Sequence, residues 1–150
     1  MTRIEKIIEI KAPVEKVFAF VNDIDNMAKT SPPEWESEIL SRDEGPSRVG
    51  FTYKIRSKVG GNVYEVENEC TELVKNKRRS IRQKGGSLKK FELTDLFEPT
   101  KGGTKWTSIT EYELPYSLLG KIIDKLKVHK AVEKRFDYSM NKTKELLEKE

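Results

Sequence analysis

Residues 3–11 alternate between apolar and charged side chains, with Ile4, Ile8 and Ile10 on one side and Glu5, Glu9 and Lys11 on the other. A period of two is the signature of a half-buried strand. Ala12-Pro13 ends it. Pro13 suits a first helical turn, and Val14, Val17, Phe18 and Val21 recur at helical spacing, so a short amphipathic helix is predicted over 13–21. Asp23, Asp25 and Asn26 supply caps for a second short helix near 24–30, closed by Pro32-Pro33.

From Trp35 to Leu114 the punctuation is that of hairpins. Gly60-Gly61 as a two-residue turn sets Tyr53 opposite Asn68 and Ile55 opposite Val66, while Lys54 faces Glu67 and Arg56 faces Glu65. One register thus satisfies both faces, a ladder of opposite charges on one and Phe51, Tyr53, Ile55, Tyr64, Val66 and Cys70 on the other. Further turns at Lys75-Asn76-Lys77, Gly85-Gly86-Ser87 and Lys101-Gly102-Gly103 leave strands near 78–84, 88–98 and 104–114. Seven strands are expected, six of them consecutive.

Pro115 stops the last strand. From Ser117 onward Leu118, Ile122, Leu126, His129, Val132, Phe136, Met140, Thr143 and Leu147 fall on one stripe at three- and four-residue steps. At ~1.5 Å per residue such a helix runs about 45 Å, enough to cross a small domain. A sheet with one apolar face needs a cover, and no other element is long enough to supply it. The expectation is an α+β fold in which a curved, seven-stranded antiparallel sheet surrounds one long C-terminal helix, with two short helices between strands 1 and 2.

Composition narrows the class. A chain of 150 residues suits a single domain spanning 1–150. Apolar residues make up 35% and charged residues 36%, with regular patterning that argues against disorder. Lys and Glu dominate and Gln83 is the sole glutamine, a balance found where ion-pair networks replace thermolabile amides. The lone Cys70 excludes an intrachain disulfide and a multi-cysteine metal site, which fits a reducing cytoplasm. The N-terminus lacks a signal peptide's apolar stretch, and no run approaches the ~20 apolar residues of a membrane span. A cytoplasmic protein is the expectation.

Local phrases agree with the element order. Ile10-Lys11-Ala12-Pro13-Val14-Glu15-Lys16-Val17-Phe18, Arg48-Val49-Gly50-Phe51 and Gly102-Gly103-Thr104-Lys105-Trp106-Thr107 resemble, in that order, segments of the START-like (SRPBCC, helix-grip) superfamily, in its polyketide cyclase and coenzyme-Q-binding branch. The resemblance runs over essentially the whole chain. It implies the helix-grip fold and a ligand-holding cavity between sheet and helix. It does not name a reaction, because the superfamily includes carriers and enzymes alike. The metal-binding Cys-His set of the ring-hydroxylating branch is missing, so neither a metal nor a cofactor is expected.

Alternation turns Trp35, Phe51, Tyr53, Tyr64, Val66, Asn68, Ile81, Gln83, Phe91, Leu93, Asp95, Trp106, Ser108, Thr110 and Tyr112 inward, and the helical stripe adds Ile122, Leu126, His129 and Phe136. Buried Asn, Gln and Asp cost a few kcal/mol without partners, so this face is too polar for packing alone. An aromatic wall with sparse polar groups is what ligand sites show. Arg79, expected opposite Leu93 and diagonal to Asp95, reads as an internal ion pair fixing register in preference to a ligand anchor. His129 is the candidate acid or base, histidine being the side chain that changes charge near neutrality, though it has no visible partner. Cys70 reads as a small buried residue.

The run 75–90 carries Lys75, Lys77, Arg78, Arg79, Arg82, Lys84, Lys89 and Lys90 without an acid, and Lys121, Lys125, Lys127, Lys130, Lys134 and Arg135 add positive charge on the long helix. A solvated surface is preferred over transient contact with anionic membrane, and nucleic acid ranks last because stacking aromatics are absent from the run. The first function inferred is binding or transport of a small apolar ligand, lipid, quinone or polyketide-like. The alternatives are a cyclase or dehydratase acting in the same cavity, and an interaction module using the basic face.

Overall fold

The structure is a computed structural model that describes residues 2–59, 61–85, 88–114 and 122–149, with the side chains of Val59 and of 122–125 outside the description. The chain runs β1 (Thr2–Ile10), α1 (Val14–Asn22), a 3-10 turn (Ile24–Asn26), α2 (Met27–Thr30), a second 3-10 turn (Pro33–Trp35), β2 (Glu38–Arg42), β3 (Thr52–Val59), β4 (Asn62–Val74), β5 (Arg78–Gly85), β6 (Lys90–Thr100), β7 (Gly103–Glu113) and α3 (Ile122–Glu148). The strands form one antiparallel sheet in the order β1-β7-β6-β5-β4-β3-β2. This is the curved seven-stranded helix-grip arrangement. Among the described residues no helix is long and apolar enough to cross a membrane.

The β3–β4 hairpin adopts the register expected of a two-residue turn, with Tyr53 opposite Asn68, Ile55 opposite Val66, Lys54 opposite Glu67 and Arg56 opposite Glu65. The β5–β6 pairing differs. Arg79 faces Asp95, and Ile81 faces Leu93. The slip is two residues from the arrangement expected of a Gly85-Gly86-Ser87 turn, whose residues 86 and 87 lie outside the description. Because side chains alternate with period two, a two-residue slip keeps every side chain on its expected face.

Two local expectations are corrected. Trp35 belongs to the second 3-10 turn instead of a strand, and β2 starts at Glu38. Tyr64 is on the expected side of β4, yet it is 36% exposed, because residues 62–65 at that end of the strand are exposed on both faces.

Pro115, the start expected at Ser117, Leu118 and Lys121 lie outside the described residues. Over its 27 residues α3 spans about 40 Å. Phe136, Met140, Thr143 and Leu147 are buried as the stripe requires, but Leu126 is 59% exposed. A four-residue step overshoots a full turn by about 40°, so the step from 122 carries Leu126 off the packed face, while Val128 and Val132 take the contact.

The buried apolar side chains form three clusters. The first joins Ile10, Val17, Phe18, Phe97, Trp106, Met140 and Leu147 across β1, α1, the sheet and α3. The second is Phe51, Tyr53, Ile55, Cys70 and Ile81 on β3–β5. The third is Ile4, Tyr112 and Leu114. Between the first two lies polar ground.

The β1–α1 junction is latched to the start of β7. An added Cβ on Gly103 would stand 2.1 Å from the Ile10 carbonyl oxygen, so only glycine permits the approach. The buried Thr104 hydroxyl donates to the Ala12 carbonyl at 2.7 Å. Two phrases that carried the family resemblance therefore touch.

Candidate functional site

A cavity of about 110 Å³ opens between the sheet, α3 and the short helices. Its apolar wall includes Ile55, Ile81, Phe91 and Leu93 from the sheet and Phe136 and Met140 from α3, with Phe20, Ile24 and Met27 contributed by α1, α2 and the turn between them. Its polar groups are Tyr53, Asn68, Arg79, Asp95 and Ser108 from the sheet, Arg135, Ser139 and Thr143 from α3, and Asp23, Asn26 and Thr30 from the short-helix segment.

Arg79 and Asp95 form the innermost pair, Nε to Oδ2 at 3.7 Å, with side chains only 11% and 2% exposed. The Trp106 indole N–H donates to Asp95 Oδ1 at 2.9 Å. Burial pushes the Asp95 carboxyl up from its ordinary range, while the Arg79 charge and hydrogen bonds from Trp106 and Ser108 pull it back. Arg79 also donates to the Val21 carbonyl in the last turn of α1, where a cation suits the unsatisfied helix end. The guanidinium thereby ties the sheet to α1.

Tyr53 and Asn68 stand opposite each other across β3 and β4. Burial raises the Tyr53 hydroxyl, opposed by the charges of Arg79 and Arg135 and by the Asn68 amide. Asn68 Oδ1 is buried without a hydrogen-bond partner. Arg135 lies with its guanidinium 5.5 Å from the Trp35 ring centroid and 5.7 Å from that of Phe136. Burial lowers its pKa, opposed by Tyr53. The cavity thus carries two guanidinium groups and one buried carboxylate.

Of the residues expected at the site, Tyr53, Asn68, Ile81, Phe91, Leu93, Asp95, Trp106, Ser108 and Phe136 border the cavity. Others sit in the surrounding structure. Phe51 is buried in the second cluster beneath the guanidiniums of Arg42 and Arg48, Val66 packs against that cluster, Gln83 donates to the Leu88 carbonyl at 3.5 Å, and Thr110 and Tyr112 are buried in the sheet. The Ile122 side chain lies outside the description. His129 does not border the cavity; its Nε2 lies 3.2 Å from Glu133 and its Nδ1 3.3 Å from the Tyr112 hydroxyl. Among the described residues no cluster of His, Cys, Asp and Glu could hold a metal ion.

Arg135 was the residue that charge counting concealed, since it stands in a row of lysines and reads as surface. Its position on the helix says otherwise. It follows Val128 by seven residues and Val132 by three, and precedes Ser139 by four, so it shares their face. The short-helix residues Phe20, Ile24 and Met27 gave no such signal, because their place over the sheet depends on tertiary packing.

The basic run 75–90 is partly neutralised by acids from adjoining strands. Arg78 pairs with Glu72, Arg82 and Lys84 with Glu69 at 3.1 and 3.8 Å, and Lys89 with Glu113 at 3.5 Å.

Residues 1–148 match the protein family described as "Polyketide cyclase / dehydrase and lipid transport". No curated protein is matched by the sequence. Similar solved structures include TTHA0849 from Thermus thermophilus, with 20% identity and a TM-score of 0.78 over 96% of this chain and 95% of that one. A START superfamily protein from Mycobacterium smegmatis gives 16% and 0.72 over 98% and 97%. The di-domain ARO/CYC StfQ of the steffimycin biosynthetic pathway gives 12% and 0.79 over 98% of this chain and 50% of that one. Identities this low speak for the fold alone, but the family match covers nearly every residue, and the chain belongs to the polyketide cyclase / dehydrase and lipid transport family of START-like, helix-grip proteins.

Proposed function

We propose that this chain, folded as one domain, binds a small and largely apolar molecule between the sheet and α3 and carries it without transforming it. The observation that supports this most directly is Asn68 Oδ1, a buried acceptor with no partner, facing a cavity walled mainly by apolar side chains. A protein rarely leaves such an atom unsatisfied, because the loss costs about 1–3 kcal/mol. A ligand hydroxyl or a bound water completes it. The lone buried Cys70 suits residence in a reducing cytoplasm.

Native mass spectrometry of protein purified without detergent tests the reading. A co-purifying apolar molecule that dissociates on denaturation is the expected result. Ligand-free protein that also fails to take up small apolar probes would overturn it.

A second reading, a cyclase or dehydratase in the same cavity, draws on the raised Asp95 carboxyl, a buried group able to hold a proton in a cavity that Tyr53 also lines. His129 plays no part in it. The carrier reading is preferred because Asp95 is already engaged by Arg79 and Trp106. The basic run serves as solvated surface in preference to a membrane contact, since much of its charge is met by acids on neighbouring strands.

A further inference from the structure

Of the two guanidinium groups that reach the cavity, only Arg79 has a carboxylate partner among the described residues. Arg135 has none. Asp95 is committed to Arg79, and Asp23, the other acid on the cavity wall, is exposed and accepts the Asp25 backbone N–H at 3.0 Å. Glu34, next to the Trp35 ring that packs on Arg135, is taken by Lys134 at 3.5 Å.

The rings of Trp35 and Phe136 stand over the Arg135 guanidinium. A cation–π contact draws the charge toward a ring but supplies no oxygen acceptor for the N–H donors of the guanidinium. No acceptor on a described residue takes them. Arg135 is half-buried and keeps its proton throughout the physiological range, so it presents a standing positive charge at the cavity wall. An anion is its natural complement. The cavity volume, about 110 Å³, is of the order of the roughly 150 Å³ that holds one benzene ring in an engineered apolar cavity.

We infer that the ligand is a compact organic carboxylate, its head group forked onto Arg135 and its apolar body lying among Ile81, Leu93 and Phe136. This rests on the cavity-binding reading above and narrows it from an apolar molecule to a small amphipathic acid. The planar fork of a guanidinium matches two carboxylate oxygens. Asn68 Oδ1, a free acceptor, favours an acid that also bears a hydroxyl.

The test titrates benzoate and its neutral counterpart benzyl alcohol into the wild-type protein and Arg135→Met, reading intrinsic fluorescence, since Trp106 borders the cavity, together with calorimetry. Benzoate is expected to bind the wild-type protein and to lose at least about tenfold in affinity in Arg135→Met, while benzyl alcohol changes little. Arg135→Met should melt close to the wild type, because the half-buried guanidinium has no carboxylate partner among the described residues to lose and methionine keeps a long apolar stem, and a second variant, Arg135→Gln, provides the same comparison if Met perturbs packing. Benzoate binding that is indifferent to both substitutions, or weaker than that of benzyl alcohol in the wild type, overturns the carboxylate inference and leaves the cavity reading standing. Failure of both probes to bind the wild type overturns the two together.

Discussion

The Trp106 indole nitrogen lies 2.9 Å from Asp95 Oδ1 while Arg79 approaches the other carboxylate oxygen at 3.7 Å, so one carboxylate on β6 is held from both neighbouring strands. Burial nevertheless dominates and raises its pKa. Below the unfolded value, about 4, the stability this raised value contributes is fully present, and it is lost as pH rises through the folded value. Asp95→Asn removes that titration and leaves Arg79 without its charge partner. It should lower stability by about 1–3 kcal/mol, with the wild-type advantage narrowing as pH rises from 3 to 8 in denaturant titrations. An advantage that widens with pH would mean that the folded carboxyl titrates below its unfolded value instead of above it. Ligand affinity should be retained, because the pair fixes register.

Gly102 and Gly103 are adjacent and chemically identical, yet they should respond differently to alanine. A Cβ at Gly102 meets nothing within 4 Å, whereas at Gly103 it would collide with the Ile10 carbonyl. Gly103→Ala is expected to cost about 2–3 kcal/mol, a fall of about 4–12 °C in Tm. Gly102→Ala should stay within about 0.5 kcal/mol. Equal melting temperatures for the two variants would mean that the junction does not require the close approach.

Alanine substitutions along α3 separate the packed face from its edge. Phe136→Ala empties a buried position beside the cavity and should cost roughly 3–5 kcal/mol. Leu126→Ala, at a side chain 59% exposed, should fall within about 0.5 kcal/mol. His129→Ala removes a half-exposed contact with Glu133, worth at most about 1 kcal/mol, and the hydrogen bond with the Tyr112 hydroxyl, worth about 0.5–1.5 kcal/mol, and should leave ligand affinity unchanged. A loss of binding in His129→Ala would bring the imidazole back into the site.

Contact with anionic membrane can be probed through the acids that offset the basic run. Wild-type protein should show no binding to phosphatidylserine-containing vesicles at about 0.15 M salt, where exposed charges more than about 8 Å apart are largely screened. Glu69→Gln with Glu72→Gln frees Arg78, Arg82 and Lys84 and should increase binding at low salt. Strong wild-type binding at the higher salt would favour the membrane reading.

How much could be read from the chain varied with the kind of constraint. The β3–β4 register was legible to the residue because a two-residue turn allows one pairing and both faces endorsed it. The β5–β6 register was not, since a longer connection can close with several pairings, and alternation protects the face without fixing the partner. Asp95 was therefore placed on the right face and beside the right arginine, though not directly opposite it. Sites on α3 were harder. A stripe drawn from apolar residues alone includes Leu126, which drifts off the face, and skips Arg135, which lies on it. The long helix was plain, but which of its charged residues borders the cavity depends on the wheel, and a half-buried guanidinium looks like any other in a count of charges.

The sheet order has a kinetic meaning. Five of its six pairings join strands consecutive in the chain, and the sixth joins β1 to β7, with Ile4 opposite Thr110 and about a hundred residues between. Loop closure over that span costs more entropy than closing any of the hairpins, so the first of these seven strands to be synthesised is the last able to find its place. Until β7 exists, β1 has no partner and the Ile10–Ala12 junction has nothing to receive it. The contact of Gly103 and Thr104 with that junction is thus the seam at which a linear meander becomes a closed fold, and damage there should slow maturation of the whole domain as well as loosen one corner of it.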